Sequence, residues 1–221
     1  MNTVKFTLEN RLTENTNESV LIFLLPMNPS LNSTLTPWQV LQPEPEGGTI
    51  SFTYNINLQV AVISEGGDSK ISPKTDIASG QLLDAKYTSD GDLILSNNPD
   101  TSRIAPKQAG VVNKTGVVNE TNNPHPPVLL RTEWFVNGNP ITQVSGLNVG
   151  SINLFQLDAG VLYFCTASPT QQSFNYTLES VLAQTKYVIP DGTTSVMMQW
   201  SRPDGQTRPD KFIFDPPSAN G

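Results

Sequence analysis

Residues Ile50 to Val62 read ISFTYNINLQVAV and alternate between apolar and polar side chains along most of their length. The apolar positions are Ile50, Phe52, Tyr54, Ile56, Leu58, Val60 and Val62. A period of two places every second side chain on the same face of a strand, so the stretch predicts a long half-buried β-strand. The polar group Asn55 to Asn57 allows a second interpretation, in which two strands meet at a bend.

Other segments repeat this pattern between turn residues. Val4 to Leu12 alternates, and the Asn-rich stretch Thr13 to Asn17 predicts a hairpin that pairs it with Ser19 to Leu25. Further hairpins are predicted at Asp90-Gly91, Asn137-Gly138 and Pro203-Asp204-Gly205, because these residues tolerate the positive φ angles of tight turns. Strands are also predicted at Ser151–Leu157 and Val161–Thr166, and Phe155 to Cys165 has the pattern of a hairpin.

Strands separated by turns, without intervening helices, indicate an all-β protein built as an antiparallel β-sandwich. The spacing resembles that of Ig-like and jelly-roll-like sandwiches, a likeness of fold that implies no function. One stretch departs from it: Thr177 to Tyr187 fits a short helix capped by Thr177 as well as it fits a strand.

The domain organisation depends on residues 96–127, which are rich in Asn, Pro and Thr. They contain a tandem repeat, GVVNKT at 110–115 and GVVNET at 116–121, and two copies are too few for a solenoid core. We expect one sandwich over residues 1–221 with a long surface loop at 96–127. The alternative is two β-domains, 1–96 and 128–221, joined by 97–127.

Composition excludes several functions. The 221 residues include 20 acidic and 13 basic side chains, a net charge of -7, one Cys and one His. One Cys and one His form neither an intrachain disulfide nor a His/Cys metal cluster, and the acidic balance argues against nucleic acid as a partner. Polarity comes mostly from 73 Asn, Thr, Ser and Gln residues, which favour strands and turns over helices.

The N-terminal residues Met1 to Phe6 lack the pattern of a signal peptide, and the longest apolar run, Val20 to Leu25, is far shorter than a transmembrane helix. We therefore expect a soluble chain, and its compartment remains open.

Nucleophile and metal chemistry has few candidates. His125 lies among prolines without a catalytic motif, and Cys165 lies in an apolar strand where a thiol is usually a small buried side chain. Type 1 copper needs two His beside its Cys and is excluded. A weak calcium candidate remains in Asp90, Asp92 and Asp100, whose carboxylates are oxygen ligands. No cofactor is expected.

Carboxylates are the catalytic class that composition leaves open. A glycosidase needs two of them about 5 to 9.5 Å apart. The available residues are Glu44, Glu46, Asp84, Asp90, Asp92, Glu133, Asp204, Asp210 and Asp215, and their spacing predicts no pair. Five Asn-x-Ser/Thr sequons, among them those at Asn17 and Asn113, are no more than chance gives at this composition.

These observations predict a non-enzymatic binding or assembly protein that recognises a glycan, a membrane surface or a protein partner through loops and edges, with homo-oligomers allowed. Trp38, in a polar stretch, is the candidate ligand-binding residue, although packing in the core is the simpler role for an indole. Two alternatives stay open: a viral or phage structural protein, and a carboxylate-dependent hydrolase such as a glycosidase.

Overall fold

A computed structural model of the chain describes residues 3–13, 17–27, 33–67, 69–116, 127–168, 175–202 and 210–215. Seventeen strands and one short helix form its regular structure, which confirms the all-β, sandwich-like class. The chain divides into two compact units. Unit 1 comprises Met1–Leu24, Thr36–Ile56 and Ala159–Gly221, and unit 2 comprises Leu25–Leu35 and Asn57–Asp158.

Unit 1 contains two four-stranded sheets. Sheet A has the order β17-β16-β1-β5, with β1 at Val4–Asn10, β5 at Thr49–Tyr54, β16 at Ser195–Ser201 and β17 at Lys211–Phe214. Sheet B has the order β15-β14-β2-β4, with β2 at Ser19–Phe23, β4 at Gln39–Leu41, β14 at Val161–Ala167 and β15 at Thr185–Val188.

Unit 2 contains sheets C and D. Sheet C has the order β3-β12-β11-β6-β7, with β3 at Ser33–Leu35, β6 at Leu58–Glu65, β7 at Thr75–Asp76, β11 at Leu129–Val136 and β12 at Asn139–Leu147. Sheet D has the order β13-β10-β8-β9, with β8 at Leu82–Tyr87, β9 at Leu93–Asn98, β10 at Ala109–Asn113 and β13 at Ile152–Phe155. Trp134 of sheet C stacks on Phe155 of sheet D at 4.3 Å between ring centroids.

Aromatic side chains join the two sheets of unit 1. Phe6 of sheet A meets Tyr187 of sheet B edge to face, with 6.0 Å between ring centroids, and Tyr187 stacks on Phe214 at 4.4 Å. These contacts lie on the inward face of sheet A, whose outward face remains open to solvent. Sheet A therefore alternates between buried and exposed side chains, as a sheet with one solvated face does.

The two central strands of sheet B, β2 and β14, are buried on both faces. All five residues of β2 are fully buried, and so are the outward-facing Cys165 and Ala167 of β14. A segment with the helix α1 at Leu178–Leu182 covers the outer side, where the ring of Tyr176 lies 4.9 Å from that of Phe23. Thr177 caps the helix by accepting a hydrogen bond from the Ser180 backbone N–H. The stretch thus contains the predicted short helix, followed by the strand β15.

Local turn predictions are largely confirmed. Asp90-Gly91 lies between the paired strands β8 and β9, and Asn137-Gly138 connects β11 to β12 with φ angles of 52° and 81°. β16 and β17 also pair antiparallel, although Pro203-Asp204-Gly205 lies outside the described residues. The stretch Ile50 to Val62 is two strands, β5 and β6, separated at 55–57, so the single long strand is wrong and the second interpretation is confirmed.

Two hairpin predictions are wrong because they join strands of different sheets. β1 pairs with β16 and β5, whereas β2 pairs with β14 and β4. The continuous apolar run of β2 suits a strand covered on both faces, while the alternation of β1 suits a sheet with one solvated face. β13 and β14, the predicted Phe155 to Cys165 hairpin, likewise pair with β10 and with β2.

The sheets are also not purely antiparallel, because β1 pairs with β16 and β8 pairs with β10 in parallel. Parallel neighbours need a long connection between them, and turn residues do not reveal such pairs.

Residues 96–127 are not an uninterrupted loop. β9 extends to Asn98, and β10 is a fully buried inner strand of sheet D that includes part of the first repeat copy. Beyond Gly116 the second copy lies outside the described residues. The two compact units do not follow the division into 1–96 and 128–221, because each unit takes chain from both of those segments.

Asn113, at the end of β10, is a buried hydrogen-bonding centre of unit 2. Its amide nitrogen donates to the carbonyl oxygens of Val128 and Leu147, each at 2.8 Å. Its Oδ1 accepts from both the backbone N–H and the hydroxyl of Thr115. The Asn and Thr of this sequon are both fully buried, and the pair therefore holds the backbone of three segments together.

We predict that Asn113→Asp lowers the free energy of unfolding by about 2–4 kcal/mol at pH 7, since a carboxylate would face two carbonyl oxygens without a donor. Urea denaturation measures this loss. Asn17→Asp is the matched control, because Asn17 begins another sequon and is exposed. Equal stability of Asn113→Asp and the unsubstituted protein would contradict the role assigned to Asn113.

Candidate functional site

Trp38, the candidate ligand-binding residue, lies in the core of unit 1. Its side chain is 2% exposed, and its indole meets the rings of Phe52 and Tyr54 edge to face at 5.9 and 5.6 Å. Tyr54 and Tyr163 are buried as well. Trp38 therefore presents no open ring face to a ligand, and these residues form no exposed aromatic patch.

The three calcium candidates do not converge. Asp90 and Asp92 lie in the turn before β9, whereas Asp100 follows the other end of this six-residue strand, about 20 Å away at the usual rise per residue. The hydroxyl and backbone N–H of Ser102 donate to Asp100 and hold the pKa of its carboxyl below the ordinary value. Among the described residues, no group of three or more His, Cys, Asp or Glu is placed to hold a metal.

The remaining candidates are placed as follows. His125 lies outside the described residues. Cys165 is a buried free thiol on β14, and burial raises its pKa to about 12. No helix in the described part of the chain is long and apolar enough to cross a membrane.

We predict that Cys165 of the folded protein does not react with a thiol reagent such as Ellman's reagent at pH 8, because the thiolate is the reactive form and is absent far below a pKa of about 12. Unfolding in urea releases one reactive thiol per chain. Thr53→Cys is the positive control, since Thr53 is exposed. Rapid reaction of the native thiol would contradict the burial.

Arg202, just after β16, joins two carboxylates at one end of unit 1. Its Nε donates to Asp210 Oδ1 and its Nη2 to Glu18 Oε2, both at 2.7 Å. Trp200 Nε1 donates to the second oxygen of Asp210 at 3.2 Å. The network connects the ends of β16 and β17 in sheet A to the start of β2 in sheet B.

The electrostatics of this network favour a structural role. Burial opposes ionisation of Asp210, whose side chain is 3% exposed, but hydrogen bonds from Arg202, Trp200 and Thr166 outweigh it and lower the carboxyl pKa below 3.8. The hydrogen bond to Asp210 raises the pKa of Arg202. A glycosidase acid needs a raised carboxyl pKa, so Asp210 has the wrong electrostatics for that task.

We predict that Arg202→Met lowers the free energy of unfolding by about 2–4 kcal/mol at pH 7, because it leaves Asp210 buried without its counter-ion. In the unsubstituted protein the lowered pKa stabilises the fold above pH 3.8, and this contribution is lost as the pH falls through the folded-state pKa. The difference between the two proteins should therefore shrink at acid pH.

Denaturation in urea at several pH values tests this, with Arg11→Met as the matched control. Arg11 bonds Glu9 at 3.1 Å but is 52% exposed, so its loss should cost less than about 1 kcal/mol. Similar losses for both arginine variants would refute the argument.

The outer face of sheet A is polar and nearly neutral. It carries Lys5, Thr7 and Glu9 on β1, Thr49, Ser51 and Thr53 on β5, Ser195, Met197, Gln199 and Ser201 on β16, and Lys211 and Ile213 on β17. Thr7 Oγ1 lies 2.9 Å from Ser51 Oγ, so that the hydroxyls join adjacent strands. The face ends at β5, and no described strand pairs with β5 on its other side.

The backbone of β1 shows which groups of β5 face that open edge. Lys5 and Arg11 donate their backbone N–H to carbonyls of the β16 segment, while Asn10 donates to Gly48 just before β5. Because N–H and C=O groups alternate sides along a strand, the even residues of β1 bond to β5. Their register partners are Ile50, Phe52 and Tyr54, so the backbone groups of Thr49, Ser51 and Thr53 point away from β1.

The turn before β5 fixes where the strand begins. Asn10 accepts from Gly47 N–H through its carbonyl and donates its side-chain amide to Pro43 O at 3.0 Å. A Cβ on Gly48 would lie 2.3 Å from the carbonyl oxygen of Glu44, so only glycine fits there. The first residue of the open edge is thus held in place.

The open edge lacks the features by which proteins usually protect edge strands. Natural edges are short or carry Lys, Pro or a bulge. The other edges of unit 1 have four residues or fewer, and two of them contain Lys186 and Lys211. β5 has six residues, TISFTY, without charge or proline, and its inward Ile50 and Phe52 are only half-buried. A strand added beside β5 would cover both.

The sequence contains the residues of this site, but their alternation predicts only a strand. The residues of β5 lie in the most regular stretch of the chain, whose alternation predicts a half-buried strand equally at an edge or at the centre of a sheet. Its position at the edge follows from the pairing of β5 with β1 and of β1 with β16, which join strands distant in sequence. The same holds for Glu18, Arg202 and Asp210, which no local motif connects.

Comparisons with protein family models, with curated protein sequences and with solved structures found no match. We therefore infer a function from the geometry of the chain itself.

Proposed function

We propose that this chain is a non-enzymatic binding or assembly protein, and that its partner is a protein which adds a strand to the open edge β5 of sheet A. The observation that carries the proposal is the row of backbone groups on Thr49, Ser51 and Thr53 that faces away from β1. An extended chain pairs with such a row through main-chain hydrogen bonds, and alternate side-chain positions supply specificity.

The alternatives of a glycan or a membrane surface have less support. Recognition of sugar rings commonly uses exposed aromatic faces, whereas Trp38, Tyr54 and Tyr163 are buried. Membrane surfaces bind through basic clusters or broad apolar patches, whereas the outer face of sheet A carries only two lysines, Lys5 on β1 and Lys211 on β17, together with Glu9. Half-buried Ile50 and Phe52 beside an open backbone row favour a protein strand.

A structural protein of a viral or phage shell is the second candidate. The same open edge favours it, because shells are built from repeated contacts between identical chains. Large symmetric particles in light scattering would support this candidate, and a small closed complex would support the simple binding protein.

We predict that a capped peptide with the sequence of Gly48–Asn55 binds the full-length protein with a dissociation constant of about 10 to 1,000 µM, an affinity suited to one added strand. Fluorescence polarisation of a labelled peptide measures it. Ser51→Pro should weaken binding at least tenfold, since it removes an N–H that points to the open edge and not to β1.

Thr7→Ala is the matched control. It removes the same Thr7–Ser51 hydroxyl contact as Ser51→Pro does, but it leaves the edge backbone intact and should bind the peptide normally. Circular dichroism checks that both variants are folded. Equal binding by Ser51→Pro, or no binding to any variant at millimolar peptide, would reject strand addition at β5.

A further inference from the structure

We infer that the strand added to β5 is β5 of a second copy of this chain, in an antiparallel pair with a two-fold axis at Ser51. This inference rests on the proposed function and names its partner. In that register Ser51 lies opposite its own copy, Thr49 lies opposite Thr53 of the second chain, and Ile50 lies opposite Phe52. The backbone groups of Thr49, Ser51 and Thr53 would then form about six hydrogen bonds across the axis.

The cross-strand pairs in this register are chemically matched on both faces. The outward face pairs threonine with threonine and serine with serine, and the inward face pairs an aromatic ring with a β-branched side chain. Both kinds of pair stabilise antiparallel strands by about 0.2–1 kcal/mol each. The Thr7–Ser51 hydroxyl contact of each chain would continue through the axis as one row of hydroxyls.

Charge also permits this arrangement. β5 itself has no ionised side chain, so no like charges meet at the axis. In the neighbouring strand, Lys5 lies beside Thr53 and Glu9 lies beside Thr49. Because Thr53 would face Thr49 of the second copy, each row across the joined sheets would have Lys5 at one end and Glu9 at the other.

The comparable edge of unit 2 lacks this self-complementarity. β9, LILSNN, is also six residues long and uncharged. A two-fold axis at Leu95 would place Leu93 opposite Asn97, and an axis at Ser96 would place Leu95 opposite Asn97. Each of these two registers buries an apolar side chain against an amide. An axis at Ile94 would pair Leu93 with Leu95, but it would bring only three residues of each β9 into the pair. A self-matched pair along most of the strand is therefore available at β5 and not at β9.

A cysteine cross-link tests the two-fold register directly. Residues in a hydrogen-bonded antiparallel pair have Cα atoms about 5.5 Å apart, within the range that a disulfide spans. We predict that Ser51→Cys in the full-length protein, at about 100 µM under mild oxidation, forms a covalent dimer on non-reducing gels. Thr7→Cys, on the same face but one strand inward, would place its sulfur atoms about 15 Å apart and should not.

The native thiol does not interfere with this test, since Cys165 is buried. The unsubstituted protein shows how much covalent dimer forms through Cys165 alone. Charge variants provide an independent readout. Ser51→Lys and Ser51→Asp should each shift the sedimentation of the protein to that of a monomer, whereas an equimolar mixture of the two should restore the dimer.

One added strand buries less than the about 1,200 Å² of a standard interface, so the unsubstituted dimer should be weak, and sedimentation must extend to about 1 mM protein. A monomer throughout that range, or equal cross-linking of Ser51→Cys and Thr7→Cys, overturns the inference. If the full-length protein stays monomeric but the edge peptide still binds, the edge accepts an added strand that a folded second copy does not supply. The partner is then a different protein, and the proposed function stands. If the peptide fails as well, both are rejected.

Discussion

Strand β1 has a partner on each side, and its backbone hydrogen bonds divide between them by residue parity. The odd residues bond to β16 and the even residues to β5, while the even side chains Val4, Phe6 and Leu8 fill the core. This one alternation determines three properties of sheet A: which face is buried, which residues of β5 bond inward, and which backbone groups remain at the open edge. The candidate site is therefore a consequence of how β1 is paired.

The two sheets of unit 1 differ in how many of their faces are covered. The central strands of sheet B are covered on both faces, so β2 and β14 are nearly continuous apolar runs. Sheet A is covered on one face, and Thr, Ser and Gln share most of the other with a few balanced charges. Seven neutral polar side chains lie in this way on the solvent face of one sheet, and its contact with water needs few ionised groups.

The features that could be predicted from the sequence are those that depend on residues close together in the chain. The turns at Asp90-Gly91 and Asn137-Gly138 follow from neighbouring residues. The break at Asn55 to Asn57 and the helix capped by Thr177 were each one of two interpretations that the local pattern allowed. The pairing of β1 with β16, and the separation of β13 from β14, depend on residues far apart in the chain. Turn residues indicate pairing only between strands that are neighbours in sequence. The predicted β1–β2 and β13–β14 hairpins were wrong because these sequence neighbours lie in different sheets.

At two further places the polar composition of a segment does not show that its residues are buried. β10 lies in an Asn- and Thr-rich segment, yet Asn113 and Thr115 satisfy one another and two distant carbonyls, which allows the segment to be buried. Trp38 lies in a polar stretch, but Phe52 and Tyr54 surround its ring. A buried polar group is tolerated where partners exist, and the sequence around it does not reveal those partners.

An unprotected edge is costly for most proteins, because it pairs with any extended chain that it meets. The net charge of -7 reduces this cost, since long-range repulsion between copies slows unspecific association. Repulsion of that kind is screened beyond about 10 Å at moderate salt, and short-range hydrogen bonds at β5 are little affected by it. In the proposed pairing, two copies of the chain repel each other at long range and meet through an uncharged strand at contact. The register then decides whether they associate, because only matched backbone and side-chain pairs supply enough contacts to outweigh the repulsion.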